Sequence, residues 1–322
     1  MAEEELTKTA DNKIQKNKIL AELTTFRIGG PAKFFIEAKT QEDLLVATKW
    51  AKDNKEPIFI LGGGSNIIIK DEGVNGLVVK IANDEIAVRG ERLECGAGAV
   101  LARIIGIAMG DSLSGLEWAV GIPRATLGGS VRGNAGAFGF STEDLVETVE
   151  VFNLKKEKFE TFSNHDCRFN YRGSIFKEDK NYLVWKVVLK MKKGDKVEIE
   201  KNISQYLDSR QKRQPKLPSA GSVFKSLTFD YIKSANSSVA ELAEKSGAIK
   251  NGKLSAGWII EFAGLKGKRM GGAKVSLEHA NFIVNTSHAT AEDIIILISY
   301  IKQQIRSKFN IQLQEEVQYF GF

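Results

Sequence analysis

The sequence predicts a protein of mixed helix and strand built as two domains, and three observations carry that expectation. A chain of 322 residues has room for two or three sizeable cores. From Phe34 to about Val197, strand-like and helix-like pieces alternate. The composition then shifts at "SRQKRQPKLPSAG", where two of the five prolines and four basic residues fall within 209–221 and mark a domain crossing.

Each element follows from its local pattern. "AKFFIEA" reads as a strand. "TQEDLLVATKWAKDN" offers Thr40 as a cap, acids in the first turn and apolar residues at helical spacing. "PIFIL" is a short apolar strand running into Gly62, and "GLVVKI" and "RLECGAGA" follow as strands. "VLARIIGIAMG" reads as a buried helix, and "VETVEVFNL" and "NYLVWKVVLKMKK" as further strands. Beyond the crossing come the helical patterns "SVAELAEKSGAI", "SAGWIIEFAG" and "TAEDIIILISYIKQQIRSKF", the last opening on Thr290 and acids. "IQLQEEVQYFGF" closes the chain as a strand. Alternation puts Ile311, Leu313, Val317 and Tyr319 on one face and Gln312, Gln314, Glu316 and Gln318 on the other.

Composition excludes several classes of function. Hydrophobic residues make up 43% and charged residues 27%, as in ordinary soluble proteins. No apolar run approaches the length of a membrane span. Residues 1–18 are polar, with Glu3, Glu4 and Glu5 where a signal peptide carries basic charge, so the expectation is a cytoplasmic chain with a frayed N-terminal tail. Net charge is +6, consistent with solubility or with affinity for nucleotide phosphates, and no basic stripe points to nucleic acid. Cys95 and Cys167 lack CxxC spacing, and His165, His279 and His288 form no HExxH pair, so no metal site is expected.

Two glycine-rich stretches stand out. "LGGGSN" at 61–66 follows an apolar strand, so Gly62, Gly63 and Gly64 can present bare backbone to an anion while Ser65 and Asn66 add hydrogen bonds. A tight strand turn is the plainer reading. The loop is neither a P-loop nor a dinucleotide fingerprint, and neither is "GAGAVL" at 96–101. "GIPRATLGGSVRGNAGAFG" at 121–139 is the second stretch, with Ser130 and Asn134 among its small residues. Together the two suggest a dinucleotide held along its pyrophosphate. "PSAGSVFK" adds Ser222, which could be a nucleophile or a loop cap. None of the histidines lies in a motif that would make it a nucleophile's base.

The motifs "TFRIGGPA", "GGGSN", "LGGSVRGNAGAFG", "NYRGSIFK", "PSAGSVFK", "AGWIIEFAGLKG" and "EEV" stand in the order found in the UDP-N-acetylenolpyruvoylglucosamine reductase family, which the chain resembles from Thr25 to its end. The short stretch from Arg172 to Ser222 resembles type II. The resemblance implies an α+β fold: a vanillyl-alcohol-oxidase (PCMH-type) FAD-binding domain over about 19–205, in subdomains of about 19–75 and 76–205, then a substrate-binding domain over 206–309. Residues 310–322 would return as a strand to the FAD domain. FAD would be bound non-covalently, since 61–66 holds no histidine, by Gly62, Gly63, Gly64, Ser65, Asn66, Gly128, Gly129, Ser130, Asn134, Ala135 and Gly136.

The implied activity is that of a UDP-N-acetylmuramate dehydrogenase of peptidoglycan precursor synthesis, with NADPH as co-substrate and a nucleotide sugar as substrate. The implied partners include no nucleic acid and no membrane, and the chain is expected to be a cytoplasmic monomer. Arg172 would hold the substrate carboxylate, because a planar guanidinium grips it with two hydrogen bonds. Ser222 would protonate the carbon left electron-rich by hydride addition, with Lys225 stabilising the alkoxide. Glu316 would orient the substrate or assist the proton, and Tyr171 and Arg213 would join Lys225 in binding it. Taken alone, Arg172 reads as a surface arginine, Ser222 as a loop cap and Glu316 as part of a solvated face. Two departures from the family pattern stand out. "PRATLGG" is one residue longer than usual, which puts flavin contacts at 123–126 in question. Ser226 replaces the usual asparagine, so that contact does not carry over. Another flavoenzyme of the same fold, or a nucleotide-binding module without catalysis, are the competing readings.

Overall fold

The computed structural model describes residues 13–322, which pack as two compact units. The first is made of residues up to Lys18, Pro31–Gly64 and Val74–Arg210; the second gathers Ile19–Gly30, Ser65–Gly73 and Gln211–Phe322. The expected frayed tail is overturned for its described part. Gln15–Ile19 is an edge strand, and Lys13 pairs with Asp43 at 2.7 Å. Residues 1–12 of that expectation lie outside the described residues.

The first unit contains two larger sheets. Gln15–Ile19, Pro31–Ala38, Val74–Ile81 and Ile58–Leu61 form one, in that spatial order, with the last two both parallel to their neighbours. Its helix Gln41–Asp53 starts at the expected Thr40 cap, which the structure shows to be a capping box with Asp43. The second sheet is antiparallel, in the order Lys158–Ser163, Val146–Asn153, Tyr182–Lys190, Arg92–Gly96 and Ile86–Arg89. One apolar cluster, including Leu44, Trp50, Leu77, Val79, Leu93, Ile104, Leu127, Val149, Phe152 and Val187, runs between the elements of this unit. The helix Lys196–Arg213, absent from the sequence reading, carries the chain through the expected crossing.

The second unit is built around the helix Ala291–Phe309, whose Ile294, Leu297, Ile298, Ile301 and Ile305 are buried. Thr290 and Asp293 cap it as the sequence predicts, and the Asp71 carboxylate accepts from the N–H groups of Ala291 (2.8 Å) and Glu292 (3.1 Å). Short antiparallel strands, Arg269–Met270, Ala273–Val275 and Ile283–Asn285, pack against it. The terminal strand is shorter than expected. Only Gln318–Phe320 is a strand, and it lies parallel to Ile67–Ile69, a segment packed with the second unit rather than the first. Ile311, Leu313 and Val317 are buried as the alternation predicts, whereas Tyr319 is exposed, because strand geometry does not extend back to 311.

Candidate active site

In the first unit the glycine-rich stretches fold onto one another. A Cβ added at Gly63 would lie 1.7 Å from the Arg124 carbonyl oxygen, and one at Gly62 would lie 2.9 Å from Thr126 Oγ1. The lengthened turn at 123–126 therefore packs directly on the 61–64 loop. Thr126 ends in an extended conformation and starts the helix Leu127–Gly133. The N–H groups of Leu127 and Gly128 donate to the carbonyls of Ala99 (2.9 Å) and Ala97 (2.8 Å), so "GAGA" is a scaffold for this helix. Gly128 must lack a Cβ for the same reason, since one would meet Ala97 Cβ at 2.8 Å. Gly129 differs: its nearest neighbour would be Thr126 Oγ1 at 3.4 Å, so protein packing does not demand a glycine there.

The "NYRGSIFK" loop docks on the far end of this helix. Asn134, left-handed at φ 42° as the helix C-cap, donates through Nδ2 to the Asn170 carbonyl at 2.9 Å and accepts from the Glu143 N–H at 3.1 Å. The Ser174 hydroxyl donates to the Arg132 carbonyl at 2.8 Å, and Ser130 Oγ pairs with Thr142 Oγ1 at 2.8 Å. The side chains of Ser130 and Asn134 thus hold the scaffold together. Arg172 sits at φ 61°, a region that residues with a Cβ rarely occupy, and Lys177 Nζ donates to its carbonyl at 2.8 Å. Its Nη2 donates to the Gly136 carbonyl at 2.9 Å, and its guanidinium lies 5.5 Å from the centre of the exposed Tyr171 ring. A strained backbone clamped from three sides aims one guanidinium in a fixed direction.

The second unit assembles the other candidates. Ser222 is bridged to Phe282, and Phe224 to Glu315. The Glu316 N–H donates to the Val223 carbonyl at 2.7 Å, and the Lys225 N–H to the Gln314 carbonyl at 2.9 Å. Asn66 Nδ2 donates to the Glu316 carbonyl at 3.2 Å, while the Asn66 carbonyl accepts from the Gln318 N–H at 3.0 Å. Asn66, Ser222, Lys225 and Glu316 are therefore neighbours on one hydrogen-bonded framework. Ser65 and Asn66 belong to this unit, and Gly62, Gly63 and Gly64 to the other.

Two residues here escaped the sequence reading. Asn281 is buried and bonds Phe224 on both its backbone groups. His279 accepts at Nδ1 from the Asn281 N–H at 3.2 Å, which leaves its proton on Nε2. Burial, then the positive charges of Lys266 and Arg213, hold this imidazole below its ordinary pKa, which favours its neutral form. Arg213 is exposed and belongs to this unit. The signal for Asn281 is a polar residue inside the apolar run "ANFIV", since a buried amide must find partners.

The residues fit FAD. Gly62, Gly63 and Gly128 allow the backbone to pack closer than any side chain would permit, and Gly129 leaves space beside the helix start. Both thiols, Cys95 and Cys167, are buried and pushed up to about 12 by burial, which keeps them unreactive. Among the described residues no cluster of His, Cys, Asp and Glu is placed to hold a metal ion, and no helix is long and apolar enough to cross a membrane.

Comparison with known proteins agrees with this geometry. Residues 32–162 match the family described as FAD binding domain, so the chain is of the class of α+β proteins that carry such a domain. Residues 213–320 match the family described as UDP-N-acetylenolpyruvoylglucosamine reductase, C-terminal domain. The UDP-N-acetylenolpyruvoylglucosamine reductase of Solibacter usitatus is 37% identical over 92% of this chain and 94% of that protein. The enzyme of the same name from Carboxydothermus hydrogenoformans is 37% identical over 99% and 97%. The crystal structure of UDP-N-acetylenolpyruvylglucosamine reductase (MurB) from Thermus caldophilus superimposes with a TM-score of 0.75 at 32% identity, covering 96% of this chain and 98% of that one. The chain belongs to the UDP-N-acetylenolpyruvoylglucosamine reductase family.

Proposed function

We propose that Arg172, Ser222 and Glu316 carry the reaction of this family in this chain. That reaction is the NADPH-dependent reduction of the enolpyruvyl ether of UDP-N-acetylglucosamine enolpyruvate to UDP-N-acetylmuramate. When bound, FAD supplies what no side chain can: it takes a hydride from NADPH and delivers it to the methylene carbon of the enol ether. The residues that would hold it non-covalently are Gly62, Gly63, Gly64, Ser65, Asn66, Gly128, Gly129, Ser130, Asn134, Ala135 and Gly136. Gly128, Ser130 and Asn134 contribute mainly as backbone and scaffold, since their polar groups bond within the protein.

Hydride addition puts negative charge on the carbon bearing the carboxylate. Arg172 grips that carboxylate with two N–H donors and stabilises the charge as it spreads onto it. Ser222 gives its hydroxyl proton to that carbon, completing the addition of two hydrogens across the double bond. Lys225 stabilises the serine alkoxide until solvent restores its proton. Glu316 orients the substrate, and Tyr171, Arg213 and Lys225 contact the nucleotide sugar.

The observation that carries the reading is the clamped, left-handed Arg172 on a loop docked against the glycine stretch. Backbone strain held in place by hydrogen bonds is characteristic of residues that must point one way. The chain is further read as a type II enzyme, with an FAD-binding domain over about 19–205 and a substrate-binding domain over 206–309. It would be a cytoplasmic monomer in peptidoglycan precursor synthesis, and so contribute to cell shape, cell cycle and division. Loss of NADPH absorbance in the presence and absence of UDP-N-acetylglucosamine enolpyruvate tests the proposal. Oxidation that requires the substrate and yields UDP-N-acetylmuramate is expected. A flavin-loaded protein indifferent to that substrate would refute it.

A further inference from the structure

Ser222 lies on an irregular segment, so something other than a regular element must fix its hydroxyl. On its N-terminal side stands Gly221, at φ 75°, with no atom within 4 Å of where a Cβ would project. Ser222 itself is bridged to Phe282, so its backbone is held from the Asn281 side. The next two residues on its C-terminal side, Val223 and Phe224, are buried and offer four backbone polar groups that must be paired. The Val223 carbonyl accepts from the Glu316 N–H at 2.7 Å. The other three all go to Asn281. Its carbonyl accepts from the Val223 N–H at 2.8 Å, its Oδ1 accepts from the Phe224 N–H at 3.0 Å, and its Nδ2 donates to the Phe224 carbonyl at 2.9 Å. The carboxamide thereby imitates a neighbouring strand across Phe224. Asn281 is itself buried, and its own N–H is held by His279 Nδ1 at 3.2 Å.

We propose that Asn281 is a positioning residue for Ser222. Its side-chain amide locks the peptide that follows the serine, and so sets where the hydroxyl points. No other neutral side chain of this size supplies one acceptor and one donor in the same plane. Aspartate has the same shape but sets a carboxylate oxygen against the Phe224 carbonyl. Alanine leaves both Phe224 groups buried without a partner. Either change lets the segment shift, and a misplacement of 1 Å at a reacting group costs on the order of 10²-fold in rate. The proposal rests on the reading of Ser222 as the proton donor.

The test measures the two half-reactions separately by stopped-flow absorbance of the flavin, in Asn281→Ala and Asn281→Asp, each with Ser222 and with Ser222→Ala. Reduction by NADPH should stay within about threefold of the parent. Reoxidation by UDP-N-acetylglucosamine enolpyruvate should slow by about 10²-fold in either Asn281 variant. In the Ser222→Ala background, adding either Asn281 change should cost less than about threefold more, because residues acting through one group are not additive. A general loss of packing would instead slow both half-reactions, or add its full cost to Ser222→Ala, and either result overturns the proposal. So does parental reoxidation in both Asn281 variants while Ser222→Ala is slow. Should Asn281→Ala not fold, the isosteric aspartate decides; should neither fold, the residue is structural and the proposal falls. Parental reoxidation in Ser222→Ala alone would mark a different failure, that of the proton-donor reading.

Discussion

Replacing Gly63 by alanine tests whether the glycine loops form a cradle or an ordinary turn. The new Cβ would lie 1.7 Å from the Arg124 carbonyl oxygen and 3.3 Å from the Thr126 nitrogen. An unstrained carbon–oxygen contact is about 3.5 Å, so the two backbone segments must part by roughly 1.5–2 Å. The obstructing atom is backbone, so no side chain can swing aside to relieve the overlap. Overpacking of this kind costs about 1–3 kcal/mol in the folded protein. A cradle opened by more than 1 Å should also lose about 10²-fold in FAD affinity, or about 2.7 kcal/mol. Thermal melting of the flavin-free protein reads the first effect, and FAD titration by fluorescence quenching reads the second. Gly129→Ala separates them, because its Cβ would make only one ordinary contact, at 3.4 Å. It should leave the stability of the flavin-free protein unchanged or raise it by about 0.5–1 kcal/mol, while still weakening FAD. Parental FAD affinity in Gly63→Ala would refute the cradle.

Further outcomes follow from the same geometry. Arg172→Lys should keep bound FAD yet lose most of its turnover, about 10²-fold or more, because lysine retains charge but not the two-pronged grip; steady-state kinetics beside the flavin spectrum decide it. Asp71→Ala should lower stability to urea by about 1–2 kcal/mol, since two first-turn N–H groups of the helix Ala291–Phe309 lose their acceptor. Burial pushes the Asp43 carboxyl up, but the Lys13 ammonium and the N–H groups of Lys39 and Thr40 outweigh it, so its folded pKa lies below the ordinary value of 3.8. A depressed carboxyl stabilises the fold above its unfolded pKa and loses that contribution as pH falls through the folded one. Asp43→Ala should therefore cost about 1 kcal/mol at neutral pH, and the gap between variant and parent should shrink below about pH 4 as the parent's carboxyl is protonated. A gap that stays constant down to the lowest accessible pH would contradict this.

What the sequence revealed was mostly local. Helices beginning at Thr40 and Thr290 were legible because a cap and an acid three residues later signal the start without reference to the rest of the fold. The strands Pro31–Ala38 and Val146–Asn153 were legible from their apolar content. The helix Lys196–Arg213 was not, because Ile199 is its one buried residue and the apolar face is too narrow to show a period. The edge strand "QKNKI" at Gln15–Ile19 has no buried residue, so its place is set by the sheet it joins. Long-range assembly was the other blind spot. Nothing in 19–30 or 65–73 announces that these segments pack with residues two hundred positions away.

The site divides the same way. Arg172, Ser222 and Glu316 are singled out as candidates by their motifs alone; the structure adds the contacts that clamp Arg172 and the hydrogen-bonded framework that carries the backbones of the other two. The scaffold beneath them could not be named. Asn134 and Ser130 look like ligand contacts in a glycine-rich run, yet their side chains bond to Asn170, Glu143 and Thr142. Asn281 reads as one polar letter in an apolar strand, and only the folded chain shows which buried groups it satisfies.

The most direct test of the central claim is stopped-flow measurement of both half-reactions in Ser222→Ala. If Ser222 supplies only the proton, flavin reduction by NADPH proceeds at a near-parental rate, since that step needs no acid there. Reoxidation by the enolpyruvyl nucleotide falls by about 10²–10⁴-fold, the usual contribution of a positioned general acid, and Ser222→Cys recovers part of it. Slow reduction with parental reoxidation would contradict the account and leave Ser222 a structural residue of its loop.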